Sequence, residues 1–153
     1  MGGGIGLVTA CDIALASSAA FFAASEVRLG LIPSTIAPYV VRAIGPRQAS
    51  RLFVTGERID AAQAQRIGLV HEVAEADQLD ARVLAVVGGL LAGAPGAQAA
   101  AKRMIEAVVD RPITRELIEA TAVAIADRRS DPEAVEGLGA FLEKRPPDWV
   151  PEK

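Results

Sequence analysis

The sequence opens with MGGGIGLVTACDIALAS, residues 1–17, in which a run of glycines passes directly into apolar residues. Glycine allows backbone N–H groups to approach a ligand closely, because no Cβ intervenes. We predict a helix over Gly3 to Thr9 and a strand over Cys11 to Ala16. The first N–H groups of such a helix have no internal partner and can hold an anion or a developing oxyanion. The alternative interpretation is a flexible glycine leader.

The composition indicates a globular protein. The chain has 153 residues, of which 51% are hydrophobic and 23% are charged, which is enough for one domain with a core. The net charge of −3 argues against a nucleic-acid-binding surface. We see no apolar stretch long enough to span a membrane and no signal peptide.

The cysteine and histidine content excludes some kinds of site. Cys11 is the single cysteine, which rules out an internal disulfide and fits a reducing, cytoplasmic compartment. We interpret Cys11 as a small buried hydrophobic residue and His71 as a structural residue of a strand. Their spacing matches no recognisable metal site, so we expect no metal.

Residues 1–75 are predicted to mix short strands with helices. We expect a second short strand over Ala19 to Ala23, and a loop over Ser25 to Thr35 because Gly30 and Pro33 interrupt it. A helix should follow and break at Gly45–Pro46. Further predictions are a helix end at Gly56, a capping pair of Asp60 with Gln63, a helix end at Gly68 and a strand in LVHEVA, residues 69–74.

Residues 76–153 are predicted to form helices only, including one over Ala97 to Val109. Ser130 and Glu133 fit a capping box in front of a last helix that ends before Arg145. The helices have apolar faces that need a partner surface, which is either their own domain or another subunit.

Four segments in this order resemble the crotonase superfamily, the enoyl-CoA hydratase/isomerase family. They are GGGIGLVTACDIALAS, EVRLGLIP, RLFVTGERIDAAQAQRIGLVHEV and EGLGAFLEKRPPDW. The resemblance implies an α/β (α+β) fold: the C-terminal part of a ββα spiral in residues 1–75, then a helical trimerisation region in residues 76–153. It also implies that the family's N-terminal portion is missing. EVRLGLIPSTIAPYVVRAIG is most similar to the methylglutaconyl-CoA hydratase-like branch of leucine degradation.

The resemblance also implies a set of site residues. Family members hold the thioester carbonyl with two backbone N–H groups, of which one falls at Gly3 and the other in the absent portion. The first of two catalytic glutamates aligns with Gly6 and is therefore missing, while the second aligns with Glu26. Lys144 aligns with a basic residue that meets the nucleotide part of CoA.

Each of these residues also has a structural interpretation. Glu26 fits a solvated residue in the first turn of a helix behind Ser25, since structural carboxylates outnumber catalytic ones. Lys144 fits a solvated lysine at a helix C-terminus, where it complements the helix dipole. The sequence leaves both alternatives open.

The expected function is hydration of a 2,3-unsaturated acyl-CoA. Glu26 would move the proton, Gly3 would stabilise the enolate-like oxygen, and CoA would belong to the substrate, with no metal or redox cofactor. Expected partners are an acyl-CoA thioester and further copies of the chain in a homotrimer or hexamer. The alternatives are an enoyl-CoA isomerase and a non-catalytic acyl-CoA-binding or assembly remnant, because loss of one oxyanion donor costs about 10²–10³ in rate.

Overall fold

The computed structural model describes residues 3–150; Met1 and Gly2, which begin the glycine run, and residues 151–153 lie outside the described residues. The chain divides into two compact units, residues 1–84 and 85–153. The division falls within the helix Leu79–Leu91, whereas the boundary predicted from the sequence, between residues 75 and 76, lies before it. The elements are α1 Gly3–Ala10, β1 Leu15–Ser17, β2 Phe21–Phe22, a 3₁₀ helix Glu26–Leu29, α2 Ala37–Thr55, β3 Ile59–Asp60, α3 Ala61–Arg66, β4 Glu72–Ala74, α4 Leu79–Leu91, α5 Pro95–Val108, α6 Arg115–Arg129 and α7 Pro132–Glu143.

The N-terminal unit combines helices with two small sheets. Strands β1 and β4 pair in parallel with Ala16 opposite Val73, and β2 and β3 pair antiparallel with Phe22 opposite Ile59. The parallel pair is extended by His71, whose backbone N–H donates to the Ala14 carbonyl and whose Nδ1 accepts from the Ala14 N–H at 3.1 Å. His71 therefore has the structural role that the sequence indicated, although its side chain is exposed.

The hydrophobic core of this unit is built from aliphatic side chains. Removal of such side chains from water is the main favourable contribution to folding. Alanines on α2, α3 and β1 allow the helices and strands to approach one another. The largest fully buried side chains are Ile5, Val40, Ile59, Leu69 and Val70.

Local sequence signals set the helix boundaries as predicted. Gly45 has φ 73° and ψ 163° and breaks the helical path of α2 just before Pro46. Gly56 ends α2 in the left-handed conformation with φ 59°, where glycine has no Cβ penalty. The Asp60 side chain caps α3 by accepting from the Gln63 N–H at 2.7 Å.

Three predictions for the N-terminal unit were wrong in detail. The first strand begins only at Leu15, because Cys11 follows α1 directly and residues 11–13 form a bend. Cys11 is exposed, since its thiol lies beside the Leu7 carbonyl at the surface of α1 rather than in the core. The loop predicted over Ser25 to Thr35 contains the 3₁₀ helix Glu26–Leu29.

The C-terminal unit is held together by a carboxylate that joins separate helices. Glu133, on α7, accepts from the backbone N–H groups of Gly96 and Ala97 at 3.0 and 3.1 Å and pairs with Arg128 of α6. The predicted capping box of Ser130 with Glu133 is therefore wrong. The cap of α7 is Asp131, which accepts from the Glu133 N–H at 3.0 Å, while the carboxylate of Glu133 is used to cap α5.

The segment after α7 folds back onto that helix. Arg145 makes two contacts with the Glu136 carboxylate, at 2.6 and 2.8 Å, and the Asp148 N–H donates to the same carboxylate at 3.0 Å. The Arg145 guanidinium lowers the pKa of Glu136 from 4.5 to about 2. Trp149 donates to the Ala92 carbonyl at 3.1 Å and lies against Gly137, so the segment is fixed at both ends.

The helices of this unit expose much apolar surface. Among its described residues Ala140 is the one buried hydrophobic residue, whereas Ile113 is 85% exposed and Phe141 78% exposed. Large exposed apolar patches mark interaction surfaces. Within the part of the chain that the structure describes, no single helix is long and apolar enough to cross a membrane, and α4 with α5 meets that criterion only as a broken pair.

Candidate active site

A cavity of about 540 Å³ lies in the N-terminal unit between α1 and the segment that leads into α2. Its volume is within the range of pockets that bind small molecules. Residues 32–36 form one wall. The other lining residues are Gly3, Gly6, Leu7 and Ala10 of α1, together with Glu26 and Tyr39.

Gly3 places the start of α1 at this cavity. It is the first residue of the eight-residue helix, so its N–H has no partner within the helix. The space in which a Cβ would stand at Gly3 is open, which allows a ligand atom to approach the backbone closely. The helix dipole adds a partial positive charge at this end.

Glu26 reaches the same cavity from the start of the 3₁₀ helix. Its side chain is half-buried, and Oε2 is withdrawn from solvent without a hydrogen-bond partner among the described residues. An unpaired buried carboxylate oxygen is costly, so it is suited to a partner that a substrate or water supplies. The structure thus brings together the two residues, Gly3 and Glu26, for which the sequence suggested catalytic roles.

Arg28 does not satisfy this oxygen. It lies two residues after Glu26, but its side chain packs beside Gly56, with Nε 3.2 Å from the point where a Cβ would stand there. The Glu26 Oε2 atom therefore has no hydrogen-bond partner within residues 3–150, and no guanidinium of that part of the chain holds it.

Gly6 has a steric reason to lack a side chain. A Cβ at this position would stand 2.5 Å from Cγ2 and 3.0 Å from Cβ of Ile36. Real Cβ contacts are not that short, and Ile36 is itself buried, with 6% of its surface exposed. The resemblance implies the first glutamate at position 6, but Ile36 occupies the space that a side chain at this position would need. Glu26 is the one carboxylate that lines the cavity within the described residues.

The opposite wall of the cavity has no signal in the sequence. Ser34, Thr35, Ile36 and Tyr39 line the cavity, whereas the sequence showed only a loop followed by a helix. The break at Pro33 correctly indicated the turn. The contact of that turn with α1 depends on long-range packing, which no local pattern contains.

Lys144 lies in the other unit and is exposed. It ends α7 in the left-handed conformation with φ 57°, and its N–H donates to the Phe141 carbonyl. Within residues 3–150 no group of three His, Cys, Asp or Glu side chains is placed to hold a metal ion.

Comparison with known proteins identifies relatives over nearly the whole chain. The enoyl-CoA hydratase/isomerase family model matches residues 1–152. The chain is 34% identical over 159 residues to the probable enoyl-CoA hydratase echA8 of Mycobacterium bovis. It is also 34% identical over 155 residues to the crotonyl-CoA hydratase of Syntrophomonas wolfei. Each match covers 98% of this chain and 58% of the relative, so the chain spans little more than half their length.

Solved structures give the same result. A putative enoyl-CoA hydratase/isomerase (crotonase) from Legionella pneumophila is 45% identical, with a TM-score of 0.93 over 97% of this chain and 57% of that chain. An enoyl-CoA hydratase from Shewanella pealeana is 41% identical, with a TM-score of 0.91 over 96% and 55%. The fold is the mostly helical α/β arrangement of a crotonase-like protein, with a small parallel sheet and C-terminal helices, and the chain belongs to the enoyl-CoA hydratase/isomerase family.

Proposed function

We propose that this chain carries the proton-transfer site of an enoyl-CoA hydratase. The observation that supports the proposal best is the unpaired Oε2 of Glu26 in a cavity that the first residue of α1 also lines. A carboxylate that exchanges a proton and an N–H group that stabilises an oxyanion are the two functions that hydration of an enoyl thioester needs. The substrate would be a 2,3-unsaturated acyl-CoA, with CoA as part of the substrate.

A single carboxylate is sufficient for a balanced reaction. Glu26 takes a proton from water while the water oxygen bonds to C3 of the enoyl group. The electrons of the double bond move to the thioester oxygen, and the Gly3 N–H stabilises the resulting enolate. The protonated Glu26 then returns its proton to C2. The sum is addition of water to the double bond with the carboxylate regenerated.

The test is hydration of crotonyl-CoA and 3-methylglutaconyl-CoA by the chain as given. The second substrate is included because residues 26–45 resemble the methylglutaconyl-CoA hydratase-like branch. We expect the conjugated thioester absorbance to disappear with the wild-type chain. We expect Glu26→Gln to abolish turnover, since the amide cannot accept a proton from water.

The matched control is Glu57→Gln. Glu57 is a surface glutamate of the same unit and pairs with Arg51 at 2.6 Å. This variant should retain wild-type turnover. Equal loss in both variants would contradict a specific role of Glu26. A folded wild-type chain without turnover would refute hydratase activity for this chain and favour a non-catalytic acyl-CoA-binding or assembly remnant.

The packing of Ile36 against Gly6 supports isomerisation as a second candidate. One carboxylate is enough to move a proton from C2 to C4 of a 3-enoyl thioester, with the double bond shifting into conjugation. Two substrates distinguish the reactions: isomerisation of a 3-enoyl-CoA creates conjugated absorbance, whereas hydration of a 2-enoyl-CoA removes it and a hydratase without isomerase activity leaves the 3-enoyl-CoA unchanged. Glu26→Gln should abolish both activities.

The exposed apolar helices of the C-terminal unit support assembly into a homotrimer or hexamer. Surfaces such as those of Ile113 and Phe141 would become buried in such an assembly. Sedimentation of the chain tests the assembly, and a mass equal to one chain at micromolar concentration would refute it.

We also propose that Lys144 contacts a CoA phosphate and that the protein works in the cytoplasm.

A further inference from the structure

A threonine in front of α2 has a hydroxyl group that the helix does not use. Threonine just before a helix often caps it by accepting from a backbone N–H. Thr35 precedes the first residue of α2 by two positions, but the cap position is Ile36 and no side-chain cap bond forms there. Thr35 lines the cavity instead. It is also exposed, so water can reach its hydroxyl.

The other four threonines of the chain use their hydroxyls in local backbone bonds. Thr9, Thr55 and Thr121 donate to a carbonyl three or four residues earlier, at 2.9, 2.8 and 2.9 Å. Thr114 caps α6 by accepting from a backbone N–H at 3.3 Å. The Thr35 hydroxyl makes no bond of this kind within residues 3–150. Both its donor and its acceptor capacity therefore face the cavity.

The attacking water of the proposed reaction needs an acceptor for each of its two hydrogens. One hydrogen passes to Glu26, and the other stays on the oxygen and becomes part of the product hydroxyl. A neutral hydroxyl group can accept the second hydrogen in a hydrogen bond, because its oxygen has two acceptor lone pairs. A water held by both hydrogens keeps a lone pair directed at C3, and such alignment lowers the barrier to addition.

Three side chains of the cavity have hydroxyl groups, and Thr35 fits this role best. Tyr39 is half exposed, and a phenol oxygen is the weaker acceptor because the ring draws on its lone pair. Ser34 also lines a second, apolar groove, which Thr35 does not line. Thr35 directly precedes Ile36, the residue that occupies the space above Gly6.

We propose that the Thr35 hydroxyl positions the attacking water by accepting a hydrogen bond from it, while Glu26 accepts the proton. The proposal rests on the proposed hydratase function and adds a positioning residue to it. Thr35 keeps its own proton throughout, so the balance of the reaction is unchanged. The resemblance implies two glutamates in this family, and the hydroxyl takes over the task of holding water from the one that is missing at position 6.

The experiment measures kcat and KM for hydration of crotonyl-CoA by the chain and its variants. Thr35→Val removes the hydroxyl and keeps the branched shape of the side chain. Its kcat should fall by about tenfold, which corresponds to one neutral hydrogen bond. Its KM should stay unchanged, because the substrate loses no contact. Thr35→Ser restores a hydroxyl and should recover most of the wild-type kcat.

The matched control is Thr55→Val, the same substitution in the same unit. Thr55 is exposed at the end of α2 and does not line the cavity, and its hydroxyl bonds to the Arg51 carbonyl. This variant should keep the wild-type kcat and KM. Circular dichroism of each variant shows whether it is folded.

The outcomes separate this proposal from the proposed function. Wild-type kcat in Thr35→Val overturns the positioning role and leaves the hydratase proposal standing. The same holds if Thr35→Ser is as slow as Thr35→Val, or if Thr35→Val raises KM without lowering kcat, since the residue would then contact the substrate and not the water. A folded wild-type chain without turnover refutes the hydratase proposal, and the role of Thr35 falls with it.

Discussion

Replacement of Gly6 by alanine tests the packing between two residues that line the cavity, Gly6 and Ile36. The new Cβ would stand 2.5 Å from Ile36 Cγ2, 3.0 Å from its Cβ and 3.6 Å from its Cα. A different rotamer of Ile36 moves Cγ2 but leaves Cβ in place, so the overlap persists unless the backbone shifts. Overpacking of this kind costs about 1–3 kcal/mol. Alanine in a helix interior offsets about 0.5–1 kcal/mol of that cost.

Gly4→Ala is the matched control for this change. Gly4 is exposed in the same helix, and a Cβ there would meet nothing within 4 Å. Only the propensity gain applies at Gly4, so the control should be slightly more stable than the wild type. The free energy of unfolding of Gly6→Ala should then lie below that of Gly4→Ala by about 1–3 kcal/mol.

The assay is chemical denaturation followed by circular dichroism. The two variants can be compared directly if their unfolding free energies depend on denaturant concentration with the same slope. Ile36→Ala gives the second arm, because it removes Cγ2, the atom of the 2.5 Å contact, and leaves the 3.0 Å contact with Cβ. In the Ile36→Ala background, Gly6→Ala should therefore cost less than in the wild type, which appears as coupling in a double-mutant cycle. Equal stability of Gly6→Ala and Gly4→Ala in the wild-type background would refute the steric argument.

Three further predictions concern other contacts. His71→Phe should lower the free energy of unfolding by about 1–3 kcal/mol, because it leaves the buried Ala14 N–H unpaired. His71→Asn retains an acceptor and should lower it less. Equal losses of unfolding free energy in denaturant would contradict the role of Nδ1. Lys144→Gly should be more stable than Lys144→Ala by about 1 kcal/mol, since φ is 57° at this position and glycine has no Cβ penalty. Both variants should weaken CoA binding equally, as measured by calorimetry. The pKa of Glu136 is lower in the folded state than in the unfolded state, where it is 4.5. Ionised Glu136 therefore stabilises the folded state at pH values above 4.5, and this stabilisation should be lost as the pH falls towards about 2. Thermal melts should show a smaller loss over that range for Glu136→Gln, and an unchanged pH profile would contradict the Arg145 pairing.

The sequence predicted those parts of the fold that local chemistry controls. The break at Gly45, the helix end at Gly56 and the Asp60 cap each depend on neighbouring residues, and each was predicted correctly. Cys11 was wrongly placed in the core because an apolar run cannot show where a helix ends and a bend begins. The cap of α7 was assigned to the wrong residue, since Glu133 bonds to a helix more than thirty residues earlier in the chain.

The candidate site was predictable only in part. The glycine run indicated a helix start, and the family resemblance indicated Glu26. Neither contained the contact between Gly6 and Ile36, which joins residues distant in sequence. The presence of Ser34, Thr35 and Tyr39 along the cavity likewise depends on which side chains packing brings to its walls. Such properties arise from tertiary contacts and require the structure.

The Glu133 carboxylate also has a consequence for the order in which the C-terminal unit opens. It caps the first turn of α5 while it belongs to α7 and pairs with Arg128 of α6. Local opening of α7 would therefore uncap α5 and break the Glu133–Arg128 pair in the same event, while Arg128 has a second contact with Asp131 at 3.0 Å. Native-state hydrogen exchange should show the first turns of α5 and α7 opening as one cooperative unit, with amides that share a single free energy of opening.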